Sequence, residues 1–332
     1  MTLDTPIFRN NYLNCSQLTI AAMLLRQGIP IERVWHQAGI VFRPANKGFV
    51  LIGSFKHFRE DVARHNGIHL EEIFYRKEES AAYIERVFEQ HPSRGTVSVS
   101  LDIYELPYCP FYEREHGYHT LEVLDVNKDH IIISDHAYSY YGKLNKDHFK
   151  KAALSIYDHT PRTENRYKWI KRVNESQHPD LFTILKEHVA LFEGAPPDFE
   201  LDGVITGLSA IPVIEQHYVS SIKGSEGATE NLLDNLYFEG LKDIANSRRH
   251  MVMFLSSYDS DMLSPLIQAF EDSYQSWTVL ANFTARVGLS KNPMSMMERI
   301  SNRFQKTLDV EKKLLTQLKA ATEFVNHDMI RG

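Results

Sequence analysis

The hydrophobic pattern of this 332-residue chain changes at about residue 175, and that change limits what the chain can fold into. Before it, residues 96–102, 118–126 and 130–135 alternate apolar and polar side chains with the period of two that is typical of β-strands. After it, helical periodicity replaces the alternation in residues 178–192, 229–250, 260–288 and 295–327. The pattern predicts an α+β fold, with an antiparallel sheet in a domain over residues 1–175 and an all-helical domain over 176–332.

The first domain also shows helical segments. Leu18, Ala21, Ala22 and Leu25 recur at helical spacing, and Gly28 is a suitable stop. The same pattern predicts further helices over 31–38, 57–65 and 79–90, the last ending before Pro92, and further strands near 153–158 and 166–171.

Composition excludes several classes of protein. The formal charge of −6 argues against nonspecific nucleic-acid binding. Two cysteines do not make a disulfide framework, which favours a reducing, cytoplasmic compartment. The N-terminus lacks the basic and apolar regions of a signal peptide, and no apolar run is long enough to span a membrane. We therefore expect a cytoplasmic protein.

Signals for bound cofactors are missing from the sequence. It has neither CxxC nor HExxH, and two cysteines are too few for a thiolate-rich zinc site. It has no glycine-rich phosphate-binding loop. We expect no metal and no resident cofactor.

Three residues stand in the order that a papain-like thiol site requires. Cys15 lies where the first helix begins, His119 opens one predicted strand, and Asp135 closes the next. A helix N-terminus and an imidazolium both lower the pKa of a thiol. A carboxylate fixes the imidazole tautomer that accepts the thiol proton. The order predicts Cys15 as nucleophile, His119 as acid and base, and Asp135 as the orienting group of an acyl-transfer site.

Strand parity decides whether His119 and Asp135 can meet. If the turn is the three residues 127–129, Val126 opposes His130 and Leu121 opposes Asp135, on the face that carries His119. With a two-residue turn, Asp135 faces away. The site therefore requires a turn of odd length or a β-bulge.

The site also needs donors for the oxyanion of an acyl-transfer intermediate. The backbone N–H of Cys15 is one candidate. Asn10, Asn11 and Asn14 crowd just upstream and could each supply a side-chain amide, and we favour Asn11.

Each of these residues also has a purely structural interpretation. A free Cys beside an apolar helix is more often a packing residue than a nucleophile. With 16 histidines in the chain, an ordered Cys–His–Asp triple can arise by chance. We interpret Cys109, in a predicted loop, as structural.

Several short motifs, taken in order and spacing, resemble the butirosin biosynthesis protein H family. They are CSQLT at Cys15–Thr19, DIYELPY at Asp102–Tyr108, HGYH at His116–His119, and LKDIANSRR at Leu241–Arg249. Each motif is short and degenerate, but the resemblance extends over most of the chain.

The resemblance implies a papain-like N-terminal domain, of the cysteine-protease type, and a helical C-terminal domain. It implies an acyltransferase that moves an acyl group from an acyl or peptidyl carrier protein to a small amine in natural-product biosynthesis, as closthioamide-type amide synthases do. The phosphopantetheine would arrive on the carrier protein. Cys15, His119 and Asp135 match the nucleophile, base and orienting acid. Peptidases of this type place a Gln about six residues before the Cys, where this chain has Arg9.

Two surfaces would serve such a transferase. The loop 102–117 could wall an acyl pocket with aromatic side chains, although a core role is equally favoured; they are Tyr104, Tyr108, Phe111 and Tyr112. Arg248 and Arg249 could dock an acidic carrier protein, although such charges are usually a solvated face. The amphipathic stretch 295–327 could pack on the chain itself or on a second copy, as in a homo-oligomer.

Three functions remain open at this point. The first is the amide-forming acyltransferase. The second is a cysteine peptidase or amidase that uses the same three residues on water. The third is a noncatalytic papain-like binding protein, because a fold alone does not establish an activity.

Overall fold

The computed structural model describes residues 6–44, 49–159, 164–173, 179–224 and 236–331. The chain forms two compact units. Unit 1 comprises Met1–Ile31 and Val62–Gln177, and unit 2 comprises Glu32–Asp61 and His178–Gly332. The boundary expected at residues 175 and 176 lies outside the described residues. Residues 32–61, expected in the first domain, belong to unit 2.

A six-stranded antiparallel sheet is the centre of unit 1. Its spatial order is β3-β8-β4-β5-β6-β7. The strands are β3 (Ile68–Arg76), β4 (Val97–Asp102), β5 (Tyr118–Val126), β6 (His130–Asp135), β7 (Tyr140–Asn145) and β8 (Glu164–Val173). The helices are α1 (Cys15–Arg26), α3 (Ser80–Arg94) and α4 (Lys146–His159), and α2 (Phe58–Asn66) runs from unit 2 into unit 1.

Helices cover the central strands of this sheet. Helix α1 packs against β5 and β4, and α4 packs against β4. All six residues of β4 are buried as a result. The core includes Val99, Leu121, Ile133 and Phe149, which anchor the strands that carry the predicted site residues.

The register of β5 and β6 contains a β-bulge. Val126 pairs with Ile131, so the predicted pairing of Val126 with His130 is wrong. The register then shifts between Val123 and Asp125, so that Glu122 pairs with Ser134. The extra residue, Leu124, restores the parity that the longer turn loses, and Asp135 falls on the face that carries His119. The requirement for an odd turn or a bulge is confirmed.

Unit 2 combines helices with a small sheet. The sheet has the order β2-β1-β9, with β1 (Val41–Pro44), β2 (Phe49–Ile52) and β9 (Ile205–Thr206). Its helices are α5 (Leu181–Phe192), α6 (Ala210–Gly224), α7 (Leu236–Ser256), α8 (Ser264–Gly288) and α9 (Met297–Arg331). Helix α8 packs against both α7 and α9. The apolar face of α9, which includes Phe304 and Leu318, is buried within the chain.

The mixed α+β class and the helical C-terminal region are confirmed, but four sequence predictions are wrong. Residues 153–158 lie in α4, because Phe149, Ala152, Ala153 and Ile156 form one buried helical face. Residues 31–38 form no helix; the N–H of Ala38 is bonded to His188 Nε2 instead of a helix carbonyl. Helix α3 continues past Pro92. The C-terminal region is not all-helical, because β9 pairs with β1.

Among the described helices, none is both long and apolar enough to cross a bilayer.

Candidate active site

Cys15 is the first residue of α1, at the positive end of the helix dipole. Asn14 and Gln17 form a capping box before it: the Gln17 N–H donates to Asn14 Oδ1 over 2.9 Å, and the Asn14 N–H donates to Gln17 Oε1 over 3.0 Å. The cap fixes the first turn and leaves the Cys15 thiol half-buried. The sequence therefore places a partly accessible thiol where an anion is stabilised.

His119 links Cys15 to Asp135. Its Nε2 lies 2.8 Å from Asp135 Oδ2, and both side chains are buried. Its imidazole also hydrogen-bonds the Cys15 thiol. Because Asp135 holds Nε2, Nδ1 is the nitrogen left for the sulfur. The structure brings all three predicted residues together in the predicted order.

The three groups shift one another's pKa values. Burial raises the pKa of Cys15, but the hydrogen bond and charge of His119 outweigh it, so the pKa lies below its ordinary value. Burial lowers the pKa of His119, but Asp135 and Cys15 together raise it to about 9. The pKa of Asp135 is lowered, because its hydrogen bond to His119 outweighs burial. At neutral pH these directions favour a thiolate beside an imidazolium.

The shifts predict how Cys15 reacts with iodoacetamide. We expect alkylation to begin at a lower pH than for an ordinary thiol, because a lowered pKa keeps the thiolate populated below the ordinary thiol range. A second rise in rate is expected as the pH passes about 9, where His119 loses its proton. Peptide mapping by mass spectrometry separates Cys15 from Cys109, the internal control, whose pKa is raised by burial. A single step at an ordinary thiol pKa of about 8.5 would contradict the ion pair.

Protonation of His119 also affects folding. Its pKa is higher in the folded chain than the ordinary 6.5, so protonated His119 stabilises the fold. That contribution is complete below the unfolded pKa and is lost as the pH rises through about 9.

Asp135 has two further donors that the sequence did not reveal. The Tyr138 N–H donates to Asp135 Oδ1 over 3.0 Å, and the Tyr108 hydroxyl donates to Oδ2 over 2.9 Å. The Tyr138 ring lies 4.7 Å from the His119 ring between centroids. An aspartate at a strand end often binds an N–H a few residues on, so sequence could have suggested Tyr138. Nothing in the local sequence links Tyr108 to Asp135.

The loop between β4 and β5 is closed at its base by Asp102. One carboxylate oxygen accepts from the backbone N–H groups of Tyr104 and Gly117, 3.1 and 2.9 Å away. The other accepts from the Ser155 hydroxyl over 2.7 Å and lies 2.8 Å from His116 Nδ1. Asp102 therefore holds both ends of the loop that leads into His119.

The four aromatic residues predicted to wall an acyl pocket have separate surroundings. Tyr104 stacks on His116 at 4.1 Å between ring centroids, and Tyr112 meets His148 edge-on at 6.3 Å. Phe111 packs edge-on against Tyr138 at 6.3 Å. Phe111 thus neighbours a residue that touches His119, while Tyr108 donates its hydroxyl to Asp135.

The helix start supplies backbone donors for an oxyanion. The first N–H groups of a helix have no intrahelical acceptor, and the capping box satisfies those of Asn14 and Gln17. The backbone N–H groups of Cys15 and Ser16 lie between the N–H groups of Asn14 and Gln17. Asn11, the favoured side-chain donor, is exposed at the surface. Asn14 Oδ1 is used in the cap, and Asn10 Oδ1 accepts from the Tyr12 N–H over 2.8 Å.

The predicted docking role of Arg248 is wrong. Arg248 is fully buried within unit 2, where it forms an ion pair with the equally buried Glu311 over 3.1 Å. Its guanidinium also donates to the carbonyl of Gly39 over 3.0 Å. Arg249 is partly exposed, but it is paired with Glu271. A sequence cluster of basic residues does not distinguish a core arginine from a surface one.

Cys109 is buried in its loop, and its thiol is hydrogen-bonded to the Tyr138 side chain. Burial raises the pKa of this thiol, in contrast to Cys15. Within the ranges that the structure describes, no three His, Cys, Asp or Glu side chains are grouped to hold a metal ion.

Comparisons with known proteins add no family. No protein-family model matches the chain, and no curated protein matches it.

Proposed function

We propose that this protein is a thiol-dependent acyltransferase of papain-like type that forms amides. It would take an acyl group from a carrier-protein thioester and pass it through Cys15 to an amine. The observation that carries the proposal is His119 held between Cys15 and Asp135, with Nε2 2.8 Å from Asp135 Oδ2. The motifs that resemble the butirosin biosynthesis protein H family favour the same reaction.

The first half-reaction makes an acyl-enzyme. The Cys15 thiolate attacks the thioester carbonyl carbon, and the carbonyl electrons move onto oxygen. When the tetrahedral intermediate collapses, the bond to the carrier's sulfur breaks, and that sulfur takes a proton from His119 Nδ1. The products are a Cys15 thioester, a neutral His119 and the free carrier thiol.

The second half-reaction makes the amide. The amine nitrogen attacks the Cys15 thioester and gives a proton to His119 Nδ1. Collapse forms the C–N bond and releases the Cys15 thiolate beside the renewed imidazolium. Asp135 holds Nε2 in both halves, so that Nδ1 stays directed at the sulfur.

The helix start would stabilise the oxyanion in both halves. The N–H groups of Cys15 and Ser16 point from the positive end of α1, where they favour a developing negative charge. This assignment replaces Asn11, whose side chain is exposed. Stabilisation of the oxyanion then does not require a glutamine at the position of Arg9, because the two backbone donors remain.

An activated donor suits this site. A thioester exchanges readily with a thiolate, so amide formation needs no nucleotide to activate the acyl group. A peptidase or amidase would use the same three residues, with water as acceptor. A noncatalytic binding protein would need none of them to react.

Intact-protein mass spectrometry tests these three functions. We expect wild-type protein to gain an acyl adduct from acyl-loaded carrier proteins or simple acyl thioesters, and Cys15→Ala to gain none. Added amine should remove the adduct and yield amide faster than free acid. Faster release of free acid would favour a hydrolase. Absence of an adduct across several donors, with binding that survives Cys15→Ala, would favour the binding protein.

A further inference from the structure

One oxygen of Asp135 serves two partners. Oδ2 lies 2.8 Å from His119 Nε2 and accepts the Tyr108 hydroxyl over 2.9 Å. Oδ1 accepts the Tyr138 N–H over 3.0 Å. A buried carboxylate that keeps its charge needs such donors, because burial alone favours the neutral acid. Within the described ranges, Tyr108 is the one side-chain hydroxyl that donates to this carboxylate, and it does so at the oxygen that orients His119.

Tyr108 is itself held in place by a second tyrosine. Its ring stacks on that of Tyr140, with centroids 4.0 Å apart and planes 4° from parallel. The Tyr140 hydroxyl donates to the carbonyl of Lys143 over 3.0 Å, which anchors the ring along the edge strand β7. Tyr140 pairs with Asp135 across β6 and β7, so the stack lies beside the carboxylate.

The stack depends on a glycine. A Cβ atom at Gly142 would lie 2.7 Å from the Tyr140 hydroxyl oxygen, closer than real Cβ contacts allow. Gly142 therefore leaves the space in which the Tyr140 ring crosses the strand. A run of contacts leads from Gly142 through Tyr140 and Tyr108 to Asp135.

We propose that Tyr108 is a positioning residue of this site, which holds Asp135 ionised and directed at His119, and that Tyr140 is the platform on which Tyr108 rests. Tyr108 touches none of the reacting atoms and acts only through Asp135. This inference rests on the proposed function in that it takes Cys15 as the nucleophile. It changes the role expected of Tyr108 from a pocket wall to a support.

The test is the pH profile of Cys15 alkylation in Tyr108→Phe, measured by peptide mapping with iodoacetamide. The hydrogen bond from the Tyr108 hydroxyl favours the charged form of the Asp135 carboxylate. Its loss should make Asp135 easier to protonate, which weakens the imidazolium and then the thiolate. The acid limb should therefore move about one pH unit upward, since one unit corresponds to about 1.4 kcal/mol. An acid limb that stays in place or moves downward overturns the proposal.

A matched control separates positioning from general damage. Tyr157→Phe also removes one partly buried hydroxyl bond, the one that Tyr157 donates to the carbonyl of Tyr75 over 2.8 Å, and it should leave the profile unchanged. Equal shifts in both variants would mean that the effect is structural, and would overturn the proposal.

A second variant tests the platform. Gly142→Ala should displace the Tyr140 ring and shift the acid limb in the same direction as Tyr108→Phe. A profile identical to that of wild type would remove Tyr140 from the proposal. The profile also keeps two failures apart. If wild-type Cys15 shows no reactivity below the ordinary thiol range, the proposed function fails. If wild-type Cys15 is reactive there and the profiles of the variants are the same as that of wild type, this inference alone fails.

Discussion

Replacing His119 by alanine should abolish acyl transfer, with a fall in turnover on the order of 10⁴-fold or more, as when a member of a catalytic triad is removed. The substitution removes the proton acceptor and donor of both half-reactions. It also removes the hydrogen bond and the charge of His119, so that only hydrogen bonds from Thr120 oppose burial and the pKa of the Cys15 thiol rises. Alkylation of Cys15 at pH 6 should therefore fall about tenfold or more, since each unit of rise in the pKa lowers the thiolate fraction about tenfold. The two readouts are turnover of an acyl thioester with an amine, and iodoacetamide labelling.

His130→Ala is the matched control for that substitution. His130 lies on the same strand as Asp135, at its opposite end, and is half-buried. We expect unchanged alkylation and turnover. If Cys15 in His119→Ala labels at pH 6 as fast as in wild type, the thiolate is not supported by His119, and the proposed mechanism is wrong.

Replacing Arg248 by methionine should destabilise unit 2 by about 3–5 kcal/mol, the usual cost of leaving one partner of a buried ion pair alone. Glu311 would then remain fully buried with the Trp277 indole N–H, 2.6 Å away, and the Ser273 hydroxyl as its donors. The free energy of unfolding, measured by urea titration, reports the loss. Adding Glu311→Gln should recover part of it, because the uncompensated charge is gone.

Arg249→Met provides the comparison. Arg249 and Glu271 keep roughly a quarter of their side chains exposed, 28% and 25%, so their pairing is screened by water. The expected loss is below about 1 kcal/mol. Similar losses for the two arginines would contradict the burial of Arg248. Binding of a carrier protein should not depend on Arg248 except through stability.

The sequence predicted much of the site because its signals are local. Cys15 follows a helix start with a capping pair, and His119 and Asp135 end up on one face by strand parity. What it could not predict depends on distant parts of the chain. Tyr108 reaches Asp135 across 27 positions, and no local pattern marks that contact.

The sequence also could not predict which residues of a segment are buried, or which unit a segment joins. Arg248 and Arg249 are adjacent and chemically alike, yet only Arg248 is fully buried, because one faces Glu311 and the other lies at the helix surface. The segment 32–61 was expected with the first domain because it is next to it in sequence. Its strands pair instead with each other and with β9, a contact across about 160 positions.

The bulge at Leu124 has a consequence for how such a chain can vary over evolution. Leu124 is half-exposed, and its side chain supports none of the site's contacts described above. Many residues should therefore be accepted there, and a substitution scan would pass over the position. Loss of the residue itself should also be accepted, because Val123 and Asp125 would then be neighbours opposite Ile133 and Ile132, and one regular ladder would keep every other pair of the two strands. Related chains could therefore differ here by one residue in length, as well as in identity, with Asp135 still on the face that carries His119.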